Sequence, residues 1–187
     1  REIAADSTPD LSFMLVRVTD TYGNLIAQIL EAPGEHYYDP SKSNEPDNDF
    51  PRYIHMIKNA PNRKIWCYMT EPQWKFAEQS TKYVSKINKL KSGMRPDDKA
   101  LFIFNKVDCT PFVISSGVLN MKAVKKEVSA LYPGIFTRFV QKTIFGVKEK
   151  FDLLPFFTGN YPDGAFAEGP DEYPAQLWST LIKRIRG

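Results

Sequence analysis

The run Ala100-Leu-Phe-Ile-Phe104 contains no polar position, so a strand built from it needs apolar cover on both of its faces. A strand with one wet face alternates apolar and polar residues, whereas an unbroken run marks a strand inside a parallel sheet layered by helices. Five residues are far short of the ~20 that a membrane-crossing helix requires. Two further runs also read as strands. Lys64-Ile-Trp-Cys-Tyr-Met69 stops at Thr70-Glu-Pro72, and Phe151-Asp-Leu-Leu-Pro-Phe-Phe157 stops at Thr158-Gly-Asn160. Between and after them the period changes to that of helices. Residues 73–91 carry Phe76, Tyr83, Ile87 and Leu90 on one side and lysines elsewhere. Met121, Val124, Val128 and Leu131 recur at helical spacing before Pro133-Gly134, and Phe136, Phe139, Val140 and Ile144 suggest another short helix. Pro174 opens a last helix striped by Leu177, Trp178, Leu181, Ile182 and Ile185.

Upstream, Phe13-Met-Leu-Val-Arg-Val-Thr19 and Leu25-Ile-Ala-Gln-Ile-Leu30 flank Tyr22-Gly-Asn24. The Gly and Asn tolerate the positive φ of a tight turn, so these runs predict an antiparallel hairpin. The predicted fold is α/β: a mostly parallel sheet with helices on both faces and one antiparallel edge strand, in a single domain over residues 1–187.

Composition narrows the function classes. The 187 residues are 42% hydrophobic and 25% charged, which suits a folded domain. A net charge of +3 is too mild to argue for nucleic acid or a membrane as partner. Two cysteines, Cys67 and Cys109, and two histidines, His36 and His55, make neither a disulfide framework nor a zinc-finger spacing, and point to a reducing, cytoplasmic setting. Arg1 opens the chain without a signal-peptide pattern.

In open parallel sheets, ligands bind beyond the carboxyl ends of the strands. The unusual sequences lie at such ends: Glu31-Ala-Pro-Gly34, Thr70-Glu-Pro72, Asn105-Lys-Val-Asp108 and Thr158-Gly-Asn160. Asn105-Lys-Val-Asp108, directly after the apolar run, resembles the NKxD guanine-recognition motif of the Ras-like and translation-factor-like (TRAFAC-type) GTPases. The chemistry fits the residue types. An Asp carboxylate accepts two hydrogen bonds, one from guanine N1–H and one from the exocyclic amine, which adenine does not offer in that pattern.

Two further segments resemble family motifs in the family's order. Glu31-Ala-Pro-Gly34 is similar to DxPG, which implies Glu31 toward Mg²⁺ and the Gly34 amide toward a γ-phosphate. Thr158-Gly-Asn160 is similar to the SAK-type loop, which implies Thr158 and Gly159 beside the guanine. Thr8 matches by position the switch-loop Thr that ligates Mg²⁺. The resemblance thus implies GTP or GDP with Mg²⁺ bound at Asn105, Lys106, Asp108, Thr158, Gly159 and Gly34, with Thr8 and Glu31 on the metal. It also implies a switch-like segment over 37–51, available to a protein partner.

The departures are equally specific. No G-x-x-x-x-G-K-S/T spacing exists among the ten glycines, so the loop that would cradle phosphates is absent and the domain reads as incomplete at its N-terminus. Glu31 replaces the usual Asp, and Glu35 stands where relatives place a water-positioning Gln or His. GTP hydrolysis is expected only with an upstream phosphate loop; the alternative is a non-catalytic GTPase-like interaction module. The missing strand would lie between the Leu25–Leu30 and Lys64–Met69 runs. An upstream segment or a partner chain fills that place, or the two runs close up and pair directly.

Overall fold

The computed structural model describes residues 14–32, 50–72, 77–110, 120–157 and 169–186. It divides into two units, Arg1–Ala60 and Pro61–Gly187.

In the first unit, β1 (Met14–Thr19) pairs antiparallel with β2 (Leu25–Glu31), from Met14 opposite Glu31 to Thr19 opposite Leu25, with a register slip at Val18/Thr19. The turn is held by one carboxylate. Asp20 accepts from the backbone N–H of Tyr22 and Asn24 at 2.9 and 2.8 Å and from the Asn24 side-chain amide at 2.9 Å. Gly23 takes φ +83°, the left-handed conformation foreseen for this turn. Helix α1 (Arg52–Asn59) buries Ile54, and the His55 ring meets Phe50 edge-on at 6.5 Å, a packing role.

The second unit holds the parallel sheet, in the order β3 (Ile65–Thr70), β4 (Lys99–Phe104), β7 (Phe151–Pro155). Between β3 and β4 runs α2 (Ala77–Ser92); between β4 and β7 come α3 (Met121–Leu131) and a hairpin, β5 (Val140–Thr143) and β6 (Gly146–Glu149). Helix α4 (Glu172–Arg186) follows. β4 is central and buried from Ala100 to Phe104, as its unbroken apolar run requires.

Alternate residues of β4 serve two different layers. Leu101 and Ile103 join Leu154 against Leu177 and Leu181 of α4. Arg184 fastens the same helix to β7 through two bonds to the Asp152 carboxylate, at 2.5 and 2.7 Å. On the opposite face Phe102, fully buried, contacts the rings of Tyr68, Phe136, Phe139 and Phe151 at centroid separations of 5.1, 5.0, 5.1 and 5.4 Å. Lys91 of α2 lies over Phe139 and Lys125 of α3 over Phe151, which puts both helices on this aromatic face. Helices therefore cover both faces, as predicted. Asp98 registers the strand starts: buried, it accepts from the Lys64 and Arg95 backbone N–H and from the Trp66 indole.

Two expectations need correction. In place of one antiparallel edge strand there is a two-stranded antiparallel sheet, β1 with β2, while the parallel sheet of the second unit holds β3, β4 and β7 among the described residues. The predicted short helix through Phe136, Phe139, Val140 and Ile144 is instead a 3-10 turn (Thr137–Phe139) leading into β5. Its apolar residues mimic a helical stripe, yet Phe136 and Phe139 are buried against Phe102 while Ile144 points to solvent at the hairpin turn.

Candidate functional site

The carboxyl ends of β3, β4 and β7 converge on the Asn105–Asp108 segment. Two backbone bonds fix it, and a third closes the ladder beside it. The Asn105 N–H donates to the Thr70 carbonyl at 2.8 Å, the Val107 N–H to the Phe156 carbonyl at 3.1 Å, and the Phe156 N–H to the Phe104 carbonyl at 2.8 Å. The loop is thereby stitched to both neighbouring strands.

Lys106 sits at φ +56°, the single non-glycine residue in the left-handed region among the described residues. That conformation is uncommon outside glycine and costs on the order of 1–2 kcal/mol. It reverses the chain between β4 and a 3-10 turn, Val107–Cys109. Val107 is fully buried and anchors the turn from beneath, so Asp108 is carried at the surface end. The Lys106 ammonium meets the Glu71 carboxylate at 2.8 Å, joining the β4 loop to the end of β3.

Glu71 is itself positioned by a residue far along the chain. The Tyr132 hydroxyl accepts from the Glu71 N–H at 2.9 Å and donates to the Glu71 carbonyl at 3.1 Å. Tyr83 adds a hydroxyl bond to the Met69 carbonyl at 2.6 Å, and its ring lies 5.8 Å from that of Tyr132. Burial pushes the Tyr132 phenol up to about 12 and holds Tyr83 higher still. Both hydroxyls donate to backbone carbonyls, and burial extends their protonated range further into alkaline pH.

Around Asp108 the electrostatics are negative. Burial raises the Tyr173 phenol, and the charges of Asp108 and Glu172 raise it further. The Cys109 thiol is likewise held above its ordinary value, first by partial desolvation and then by Asp108, which makes it a poor nucleophile. Both cysteines are free.

Asn105, Lys106 and Asp108 are thus brought together on one ordered loop. Glu31 is the exposed last residue of β2, still paired opposite Met14, rather than part of a turn after the strand. Thr8, Gly34, Thr158 and Gly159 lie outside the described residues, as does most of the switch-like segment over 37–51. No group of three or more potential metal-ligating side chains occurs among the described residues. Of the implied Mg²⁺ pair, Glu31 alone lies among the described residues.

Reading the sequence missed Tyr132, Glu71 and Tyr173. Glu71 was visible as part of the unusual Thr70-Glu-Pro72 strand end, without a role. Tyr132, between the α3 stripe and Pro133-Gly134, carries no local sign that its hydroxyl reaches β3. No family model, curated protein or solved structure matches this chain.

Proposed function

We propose that this chain is a guanine-nucleotide-binding domain of the GTPase type, with Asn105, Lys106 and Asp108 forming the base-recognition loop. The observation that carries the reading is the stitching of that loop to both neighbours of the central strand, at the sheet end where ligands of parallel sheets bind. Asp108 accepts from guanine N1–H and the exocyclic amine. The Lys106 stem lies along the base while its ammonium stays on Glu71, and Asn105 holds the loop to β3. The resemblance assigns Thr158 and Gly159 to the base, and Gly34, Glu31 and Thr8 to phosphate and Mg²⁺. Mg²⁺, when bound, neutralises phosphate charge. Hydrolysis belongs to this reading only where a phosphate loop is joined to the chain.

A second reading, a non-catalytic GTPase-like interaction module, draws support from the β1–β2 hairpin. Met14, Leu15, Tyr22 and Leu25 are all more than half exposed there. Such a surface suits a protein partner.

Competition of GTP, ATP and xanthosine triphosphate for the full chain, followed by ligand-observed NMR, tests the first reading. Without a phosphate loop the affinity is expected to be millimolar, with GTP preferred over ATP by about tenfold or more. Each charge-assisted bond to Asp108 is worth ~1.5–3 kcal/mol, and 1.4 kcal/mol is tenfold. Asp108→Asn is expected to weaken GTP and improve xanthosine triphosphate, because Asn offers one donor and one acceptor. Equal affinity of the unsubstituted chain for ATP and GTP overturns the assignment.

A further inference from the structure

The β5–β6 hairpin presents a feature that the nucleotide reading leaves unused. Thr143 pairs with Gly146 across a two-residue turn whose residues are Ile144 and Phe145, exposed at 93% and 94%. Turn chemistry does not require them. Gly146 takes the special backbone conformation, φ +122°, and the Thr143 hydroxyl braces the turn by accepting from the Phe145 N–H and donating to the Gly146 carbonyl. Polar residues satisfy such positions more readily. Val147, 66% exposed, extends the apolar tip along β6.

The charges below the tip are arranged around it. Lys142 stands opposite Val147 and Lys148 opposite Gln141; adjacent register pairs place side chains on opposite faces, so the two lysines flank the hairpin on both sides. Lys150 follows at its base and is exposed. Glu149, the one acid of the hairpin, is ion-paired with Lys125 of α3. At ~3.4 Å per strand residue, Lys142 sits ~7 Å and Lys148 ~10 Å behind the tip.

We propose that this hairpin is a peripheral docking element for anionic lipid bilayers, with Ile144, Phe145 and Val147 entering the headgroup–acyl boundary and Lys142 and Lys148 meeting the lipid charge. The depth from tip to lysines matches the ~5–10 Å to which interfacial elements sink their apolar face. Lysine stems lie along apolar surface while their ammonium groups stay with the headgroups. A collar of one sign on both faces complements a plane that is negative at its surface and apolar beneath it. A protein pocket has no need of such two-sided symmetry. The contact proposed is a peripheral one, and it extends the partners beyond those that the mild net charge suggests; no helix among the described residues is long and apolar enough to cross a membrane.

Co-sedimentation of the full chain with phosphatidylcholine vesicles, and with vesicles in which a third of that lipid is replaced by phosphatidylserine, tests this. The expected result is binding to the anionic vesicles alone, weakening as salt is raised. Ile144→Ser with Phe145→Ser, and separately Lys142→Glu with Lys148→Glu, are each expected to reduce it at least tenfold. The tip residues touch little of the protein, so the serine variant is expected to keep the thermal midpoint of the unsubstituted chain. A Phe145→Trp variant is expected to shift its emission to the blue on anionic vesicles, which reports insertion directly. Absence of vesicle binding, equal binding to neutral vesicles, or unchanged binding by the serine variant overturns the proposal; the first of these turns the tip into a knob for a protein pocket.

Discussion

β4 and the β1–β2 hairpin are written in similar residues and end in opposite environments. Ala100 to Phe104 are all buried, Phe102 and Phe104 completely, whereas Met14, Leu15 and Leu25 are each more than half exposed. Both are rich in branched and apolar residues. The difference is the number of paired neighbours: β4 has a parallel strand on each side and side-chain layers on both faces, while among the described strands β1 and β2 pair with each other alone. Apolar content makes a strand, but neighbours make a core. A hairpin with one pairing edge and open apolar side chains has a low local stability and a surface free for association.

Truncation at matched positions gives the largest expected effect. Phe102→Ala removes a ring in contact with four others and is expected to cost ~3–5 kcal/mol, read from the shift of a urea unfolding curve. Leu15→Ala, at a position 53% exposed, is expected to stay within ~0.5 kcal/mol. Similar losses at the two sites would erase the distinction drawn between the regions.

Alkaline titration sharpens the same contrast with a smaller effect. The Tyr132 phenol is raised by burial from 10 to about 12 in the folded chain. Folding therefore favours the protonated form: this stabilisation is complete below pH 10 and is lost as pH rises from 10 toward 12. At ~1.4 kcal/mol per pH unit the group contributes about 2–3 kcal/mol. Unfolding curves at pH 9 and pH 11.5, for the unsubstituted chain and Tyr132→Phe, are expected to converge at the higher pH. A Phe variant that loses stability with the same slope would remove Tyr132 as the cause.

On the acid side the hairpin turn carries a titrating support, and the effect is the smallest. The Asp20 carboxyl is held below its ordinary value, chiefly by the Asn24 side-chain amide and then by backbone N–H groups. The ionised form is favoured by folding, so the turn is fully supported above the ordinary carboxylate pKa and loosens as pH falls through the lowered folded value. Amide chemical shifts of Tyr22 and Asn24 are expected to move together in that range, with those of Phe102 and Ile103 unmoved. Simultaneous movement of both sets would mean that the hairpin is not titrating locally.

Much of the sheet was legible because its signals are local. The unbroken run at Ala100 to Phe104 demanded two-sided burial, and Asn105-Lys-Val-Asp108 directly after it marked a loop at a strand's carboxyl end. The 136–144 segment misled for a physical reason: Phe136, Phe139, Val140 and Ile144 repeat at helical intervals, but Gly146 and the Thr143 brace favour a hairpin turn, which periodicity does not register. The link between Glu71 and Tyr132 is not legible locally because it spans 61 residues, and no local pattern encodes which carbonyl a distant hydroxyl will meet.

By itself, then, the sequence determined the strands of the parallel sheet, the helices that layer it, the Tyr22-Gly-Asn24 turn and the loop that carries Asp108, since each rests on backbone preferences and burial patterns within a few neighbouring residues. Tertiary structure alone decided that β1 and β2 stand as a separate sheet, that Lys106 adopts a left-handed conformation against Glu71, that Tyr132 clamps the end of β3, and that Ile144 and Phe145 face solvent. Those outcomes depend on which distant groups are close enough to pair, and that is settled by the competition among all contacts of the folded chain rather than by the preferences of any one segment.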